Sequence, residues 1–213
     1  MHIQIGWWVH DDSICHINQD LGCCWATIVF CSHRCIQNYS TFIMNIFVTD
    51  ECPRASAQVL PDKHIVKMPL ECCQMLSIVA SEKWGHGYGT LPKADGTPYA
   101  TEKGAFRNHP CTIWANESKA NARWLILHGL MLCLEYTNRY GKTHTCENTL
   151  KEAEKLFPWA PWSDHTPFVF AGPDEFKLDT SISIFDKYKM YVASKPWVCD
   201  NYLRLPHRKP DWI

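Results

Sequence analysis

The stretch Asp62-Lys-His-Ile-Val-Lys-Met-Pro-Leu-Glu71 predicts an amphipathic helix, and the rest of the chain is interpreted from it. At 100° per residue its apolar side chains form one stripe, and four polar side chains fall within about 80° of each other on another face. These four are His64, Lys67, Glu71 and Gln74. Pro61 and Asp62 are typical of a helix start, so we expect the helix to run from Asp62 to about Ala80. Its polar face is a candidate for half of an active site.

The same polar face also fits an ordinary solvated helix surface. Lys67 and Glu71 lie four residues apart, and such a pair stabilises a helix by about 0.2–0.5 kcal/mol, although the favoured order places glutamate first. Pro69 lacks a backbone N–H and is expected to bend the helix beside Glu71. The residues alone leave both interpretations open.

The composition indicates a folded protein with one sizeable core. The chain has 213 residues, of which 46% are hydrophobic and 13% aromatic. Its net charge of −1 excludes the bulk positive charge of many nucleic-acid binders, so DNA binding would need a local basic patch. The apolar run 21–31 is shorter than the roughly 20 residues of a membrane span, and the N-terminus does not resemble a signal peptide. We therefore expect a cytoplasmic protein, in the host cell if a phage encodes it, with no membrane association.

Residues 1–43 differ in composition from the rest of the chain. They contain four charged residues and five of the twelve cysteines. Zinc sites usually combine two compact cysteine pairs, and only Cys31-x3-Cys35 has this form. We therefore predict no metal site, while a metal-binding interaction protein stays an alternative hypothesis. Met44 begins a stretch typical of a domain start, so we expect a poorly structured extension over 1–43 and one helical domain over 44–213.

The remaining periodicity predicts a mainly α, compact, single-domain fold with long loops. A small helix is expected over Pro53–Leu60, and a long loop from Trp84 to Cys111 because turn-forming residues dominate there. Further helices are expected over Thr112–Tyr140 with Gly141 as its terminator, over about Cys146–Phe157, and through Tyr191 with a cap at Thr180 or Ser181. No alternating strand pattern and no internal repeat occurs.

Three features together resemble the phage pyrimidine-dimer DNA glycosylase (endonuclease V) family, over residues 44–213. They are the helix start Asp62-Lys-His-Ile, Glu71 nine residues after Asp62, and the terminal block Arg208-Lys-Pro-Asp-Trp212. The resemblance implies a helical fold, double-stranded DNA as partner, a monomer and no cofactor. It also implies an N-glycosylase with AP-lyase-type imine chemistry on damaged or modified pyrimidines. A catalytically inactive DNA-binding accessory protein of the same fold is the alternative.

The resemblance also assigns roles to the polar face. Glu71 would be the carboxylate that assists sugar-ring opening and β-elimination, with His64 as its neighbour. The family's nucleophile is an N-terminal amine, which corresponds to Met44 if the chain begins there, and Lys67 is the second candidate. An α-amine has a pKa of about 7.7–8.0, whereas lysine at about 10.4 needs burial or a nearby cation to be neutral. The family carries arginines where this chain has Leu70 and Gln74, so we expect its damage recognition to be altered.

A DNA-binding surface is expected from cationic side chains in loops and at helix ends. These are Arg107, His109, Arg139, Lys142, His144, Arg208 and Lys209. Such side chains bind phosphates well. Three of them, Arg139, Lys142 and His144, would equally suit the end of a helix, where positive charge complements the helix dipole.

Overall fold

A stretch of buried chain without regular secondary structure, residues 44–48, precedes the helices in the computed structural model, which describes residues 44–213. The seven α-helices of this part are α1 Pro53–Gln58, α2 Asp62–Ala80, α3 Pro110–Glu117, α4 Lys119–Tyr140, α5 Glu147–Leu156, α6 Asp174–Lys177 and α7 Ile184–Ala193. Short 3₁₀ helices form at Ala100–Lys103, Trp162–Asp164 and Pro206–Arg208. No β-strand occurs within 44–213, so the prediction of a mainly α fold is confirmed.

The core forms where α2, α4 and α5 meet. The apolar stripe of α2 is fully buried, as are Trp124 and Leu125 of α4. Gly129 of α4 allows the close approach, because a Cβ atom there would lie 2.8 Å from a Leu150 methyl carbon of α5 and 3.3 Å from the Cys72 Cβ atom of α2. α2 is therefore a central element of the fold, and its predicted bounds are confirmed.

The predicted single helix over Thr112–Tyr140 is wrong. The chain adopts an extended conformation at Ser118 (φ −145°, ψ 153°), which separates α3 from α4. The Ser118 side chain accepts a hydrogen bond from the Asn121 N–H and caps α4. The expected terminator Gly141 is confirmed, because it has φ 65° and its N–H donates to the carbonyl of Thr137.

Two smaller predictions about helix starts, those of α2 and α7, are also corrected. Asp62 was expected to cap α2, but it is the first residue of the helix. Pro61 occupies the cap position before it. α2 continues through Pro69 as one helix. The cap of α7 is Ser183, whose side chain accepts from the Asp186 N–H, rather than Thr180 or Ser181.

The predicted extension and its cysteines, residues 1–43, lie outside the described residues. Within 44–213, no three side chains of His, Cys, Asp or Glu are grouped to hold a metal ion. None of the helices described is both long and apolar enough to cross a membrane.

Two buried histidines are expected to make the stability of the fold depend on pH. The ring of His128 in α4 stacks on Trp124, with ring centroids 4.7 Å apart, and its Nδ1–H donates to the carbonyl of Pro53. Burial lowers the pKa of His128 to about 4 and that of His64 in α2 to about 3. Both rings stay neutral in the folded protein at pH values where an unfolded chain protonates them.

This difference predicts a loss of stability in acid. Because the folded pKa is lowered, the stability from each neutral ring is fully present above pH 6.5 and is lost as pH falls from 6.5 towards the folded value. His128→Phe is therefore expected to reduce the slope of unfolding free energy against pH by about 1 kcal/mol per pH unit near pH 5. Urea titrations between pH 7 and 5 measure it, with the exposed His207→Phe as control. Equal slopes in wild type and His128→Phe would contradict the assignment.

Candidate active site

Glu71 lies on α2 and is nearly buried, with 5% of the residue exposed. Its Oε2 accepts a hydrogen bond from the Asn45 N–H at 2.9 Å, and its Oε1 lies 3.0 Å from the Nζ atom of Lys67. Burial raises the pKa of the Glu71 carboxyl, and this effect is opposed by Lys67 and by the Asn45 N–H. A carboxyl group in this environment is suited to both accepting and donating a proton.

The interpretation of this face as a solvated surface is wrong for two of its members. Lys67 keeps about half of its side chain exposed, but the side chain of Glu71 is only 7% exposed. His64 is buried as well. The Lys67–Glu71 pair therefore joins a surface ammonium to a buried carboxylate.

Residues 44–48 cover this part of α2. The side chain of Asn45 holds the segment in place, because its Oδ1 accepts from the N–H groups of Ile46 and Phe47 while its Nδ2 donates to the carbonyl of Ala171. Met44 is buried, and the residue that follows it bonds directly to Glu71. In the 213-residue chain the nitrogen of Met44 is bonded to Ile43 in a peptide, and it becomes an amine only in a chain that begins at Met44.

His64 packs between aromatic rings. It stacks on Phe47, with centroids 4.2 Å apart, and meets Trp197 edge-on at 5.5 Å. Its Nδ1 has no hydrogen-bond partner, and burial, with smaller contributions from Lys195 and Lys67, lowers its pKa to about 3. A ring held neutral in this way is not matched to proton transfer near neutral pH.

A cavity of about 240 Å³ opens beside Glu71. It is lined by Met44, Lys67, Leu70, Glu71, Gln74 and Phe106. Leu70 and Gln74, the two positions where the resembling family carries arginines, both face this cavity. Its walls are therefore mainly apolar, with one carboxylate and one ammonium.

Phe106 is a cavity residue that no sequence pattern singled out. It is 44% exposed and has φ 65°, a left-handed conformation that costs a residue with a side chain roughly 1–2 kcal/mol. The preceding Gly104 and the turn-rich loop were the only local signals, and they indicate a turn rather than a site. The fold holds an exposed aromatic ring at the cavity mouth at an energetic cost.

Arg139, which was predicted to contact DNA, has a fully buried guanidinium in this structure. Its Nη1 lies 3.0 Å from Asp62 Oδ1, and its Nε lies 3.6 Å from Glu135 Oε2. It also donates to the carbonyls of Leu60 and Gln58. Arg139 therefore fastens α1 and the start of α2 to the end of α4.

His144, which was also predicted to contact DNA, makes its hydrogen bonds within the protein. Its Nε2–H donates to the carbonyl of Val66, and its Nδ1 accepts from the Cys146 N–H, so both ring nitrogens are used inside the protein. His144 is buried. The ring connects the loop before α5 to α2.

The other predicted cations fall into two groups. Arg208 gives two hydrogen bonds to the carboxylate of Glu135, and His109 caps α3 by accepting from the Cys111 N–H. Arg107, Lys142 and Lys209 are exposed. Only these last three combine positive charge with full access to a phosphate.

One half-buried lysine near α2 was missed by the sequence analysis. Lys195 follows α7, and its Nζ lies 3.9 Å from the centroid of the Tyr191 ring. Its charge acts on His64, and the charge of Lys67 acts on it. No periodicity connects α7 to α2, so the sequence carried no signal for this contact.

Comparison with known proteins agrees with the geometry around α2. No curated protein and no solved structure matches the chain. A family model described as pyrimidine dimer DNA glycosylase matches residues 44–148, a range that begins at Met44 and contains α2 and the cavity residues. Residues 44–148 therefore match the pyrimidine dimer DNA glycosylase family.

Proposed function

We propose that this protein is a DNA N-glycosylase with AP-lyase-type activity, acting on damaged or modified pyrimidines in double-stranded DNA. The observation that carries the proposal is the hydrogen bond from the Asn45 N–H to the buried carboxyl of Glu71. It brings the carboxyl group next to the first residue of the matched family segment. The family match over residues 44–148 supports DNA as the substrate class.

Glu71 would act at the sugar rather than at the base. An amine attacks C1′, and the bond from C1′ to the base breaks with its electron pair leaving on the base. Glu71 takes up the proton that the attacking amine loses and gives it to O4′ as the C1′–O4′ bond opens and a C1′ imine forms. The resulting carboxylate then removes a C2′ proton, and the 3′-phosphate leaves by β-elimination. The raised pKa of Glu71 supports this cycle, because the same group must both take up and give a proton.

The two predicted nucleophiles differ in their suitability. In a chain that begins at Met44, an α-amine would lie one residue from the N–H that bonds Glu71, and its usual pKa of about 7.7–8.0 leaves part of it neutral near pH 7. The Nζ atom of Lys67 is already engaged in an ion pair with Glu71, at 3.0 Å from Oε1. We therefore favour Met44 over Lys67 in such a chain.

The substrate would be held by packing and by phosphate contacts. Leu70, Gln74 and Phe106 give the cavity a wall suited to a flat, weakly polar base. The exposed side chains of Arg107, Lys142 and Lys209 are candidates for phosphate contacts. Because Leu70 and Gln74 carry no charge, we propose that recognition of the lesion depends less on cations than in the resembling family.

Borohydride trapping tests this proposal. A chain that begins at Met44 is mixed with a duplex that contains an abasic site, and sodium borohydride reduces any imine to a stable crosslink. We expect a protein–DNA adduct, and release of base from ultraviolet-irradiated duplex without borohydride. Absence of an adduct from both this chain and the 213-residue chain would contradict the proposal.

One observation favours a second candidate, an inactive DNA-binding protein of the same fold. In the 213-residue chain the Met44 nitrogen is acylated by Ile43, so the family's nucleophile is absent at that position. This candidate is supported if the full chain binds duplex DNA in a salt-dependent manner and gives no adduct.

A further inference from the structure

A turn at residues 104–107 lies beside the cavity of the candidate site. The 3₁₀ helix that precedes it is anchored on α2, because the hydroxyl oxygens of Thr101 and Ser77 lie 2.7 Å apart. The turn places Phe106 in the wall of the cavity that also holds Glu71. The position of the turn relative to Glu71 is therefore set by contacts with α2 itself.

The indole ring of Trp84 packs against this turn. A Cβ atom at residue 104 would lie 2.5 Å from the Nε1 atom of Trp84, and Gly104 has a φ of 97°, so both the space and the backbone conformation require glycine. The Nε1–H of Trp84 donates to the carbonyl of Lys103. The guanidinium carbon of Arg107 lies 4.3 Å from the centroid of the same ring, and its Nη1 donates to the Gly104 carbonyl. The turn is thus held by packing and by hydrogen bonds.

Internal packing does not account for the ring of Phe106. The residue is 44% exposed and has a left-handed φ of 65°, which is unfavourable for a residue with a side chain. Leu70 of α2 is 41% exposed and lines the same cavity. Two exposed apolar side chains therefore line a cavity that contains a buried carboxyl group. Exposed apolar surface next to a few polar groups is typical of a ligand site.

The two neighbouring side chains of the turn suit two different parts of a nucleotide. An exposed aromatic ring can stack on a base that has left the DNA helix, since every base has a flat π-face. A planar guanidinium suits the oxygens of a phosphate, and Arg107 is exposed. Lys83 adds a second exposed cation, with its Nζ 4.8 Å from the centroid of the Trp84 ring. Because adjacent Cα atoms lie about 3.8 Å apart, Phe106 and Arg107 can reach a base and a phosphate close to it.

We propose that residues 104–107 form a nucleotide clamp, in which Phe106 stacks on the extruded base beside Glu71 and Arg107 binds an adjacent phosphate. Trp84 is the positioning residue of the clamp, because it packs against both Gly104 and Arg107. The inference rests on the proposed glycosylase function and deepens it by naming the residue that holds the base. Such a clamp favours nucleotides that leave the helix at low cost, as damaged ones do.

Equilibrium binding to two duplexes tests the clamp. Both have the same sequence with one pair of adjacent thymines, and one of them is irradiated with ultraviolet light. We expect Phe106→Gly in the 213-residue chain to weaken binding to the irradiated duplex by about 5–150-fold, the size of one base–aromatic stacking contact. Its binding to the unirradiated duplex should stay unchanged. Arg107→Met is expected to weaken binding to both duplexes and to lower the slope of log affinity against log salt by about 1.

Further variants separate recognition from folding. If Phe106 were only structural, Phe106→Gly would be less stable than wild type. Glycine adopts a φ of 65° readily, so we expect a melting temperature that is unchanged or higher. Phe106→Tyr keeps a ring and is expected to restore the affinity for irradiated DNA. Trp159→Ala is the matched control, because Trp159 is an exposed aromatic residue that lines a different cavity, with Arg123 and Phe157.

The outcomes separate the clamp from the proposed function. Wild-type affinity of Phe106→Gly for the irradiated duplex would overturn the clamp, and so would an equal loss of affinity in Trp159→Ala. In either case a borohydride adduct from the wild-type protein leaves the proposed function standing. An unchanged salt slope in Arg107→Met contradicts the phosphate contact. If wild type forms no adduct and binds both duplexes equally, the proposed function is contradicted and the clamp with it.

Discussion

Glu71→Gln is expected to lower the rates of borohydride trapping and strand cleavage by about 10²–10⁴-fold, the usual contribution of a general acid–base group. Glutamine keeps an oxygen that can accept from the Asn45 N–H, so the covering segment should stay in place. It cannot transfer the proton that ring opening and elimination need. Single-turnover rates on an abasic duplex measure the loss.

The same variant separates catalysis from stability. Because burial raises the pKa of Glu71, the stability linked to its protonated form is present below the ordinary glutamate pKa and is lost as pH rises through the raised value. Glutamine, which stays neutral, should therefore leave the melting temperature at pH 7 unchanged or higher. Glu152→Gln, an exposed carboxylate paired with Lys155, is the control and should change neither property. Wild-type trapping by Glu71→Gln would rule out its proposed role.

Arg139→Met is expected to reduce the free energy of unfolding by about 3–5 kcal/mol, the range seen when one partner of a buried ion pair is removed. The substitution leaves the carboxylate of Asp62 facing an apolar side chain and removes one of the two arginines that neutralise Glu135. It also leaves the carbonyls of Leu60 and Gln58 without their donor. Urea denaturation measures the change.

Lys142→Met is the matched control, just beyond the end of α4. Lys142 is exposed, so its substitution should change stability by no more than about 0.5 kcal/mol. If Lys142 contacts a phosphate, the slope of log affinity against log salt should fall by about 1. If the Arg139→Met protein is as stable as wild type and binds DNA more weakly, Arg139 contacts DNA and its structural role is contradicted.

The DNA-binding predictions show why charge alone is a poor guide to exposure. Arg139 and Lys142 are both cations near the end of one helix, and no local pattern distinguishes them. Arg139 is buried because Asp62, 77 residues earlier in the chain, faces it across the packed helices. A long cationic side chain takes the environment that distant partners provide, so its access to a phosphate is a property of the tertiary structure.

The break at Ser118 has a different cause. Periodic apolar residues on both sides of it continued the helical pattern, and a single capping serine does not change that pattern. The cap becomes decisive only because Asn121 can bond both to Ser118 and to groups of α3 and Thr166. Local preference allowed a break, and tertiary hydrogen bonds selected it.

By itself the sequence determined the helical class, the bounds of α2, the stop at Gly141 and the position of Glu71 one helical turn after Lys67, because periodicity and spacing act within a few residues. Only the tertiary structure decided that Glu71 is buried against Asn45, that Phe106 lines the cavity beside it and that Lys195 lies near the ring of Phe47 in the covering segment. These contacts join a loop, a covering segment and α7 to α2. The burial of a side chain and the charges around it depend on all of its neighbours in space. Neighbours that are far apart in the chain do not affect the local sequence pattern, so the pattern cannot predict them.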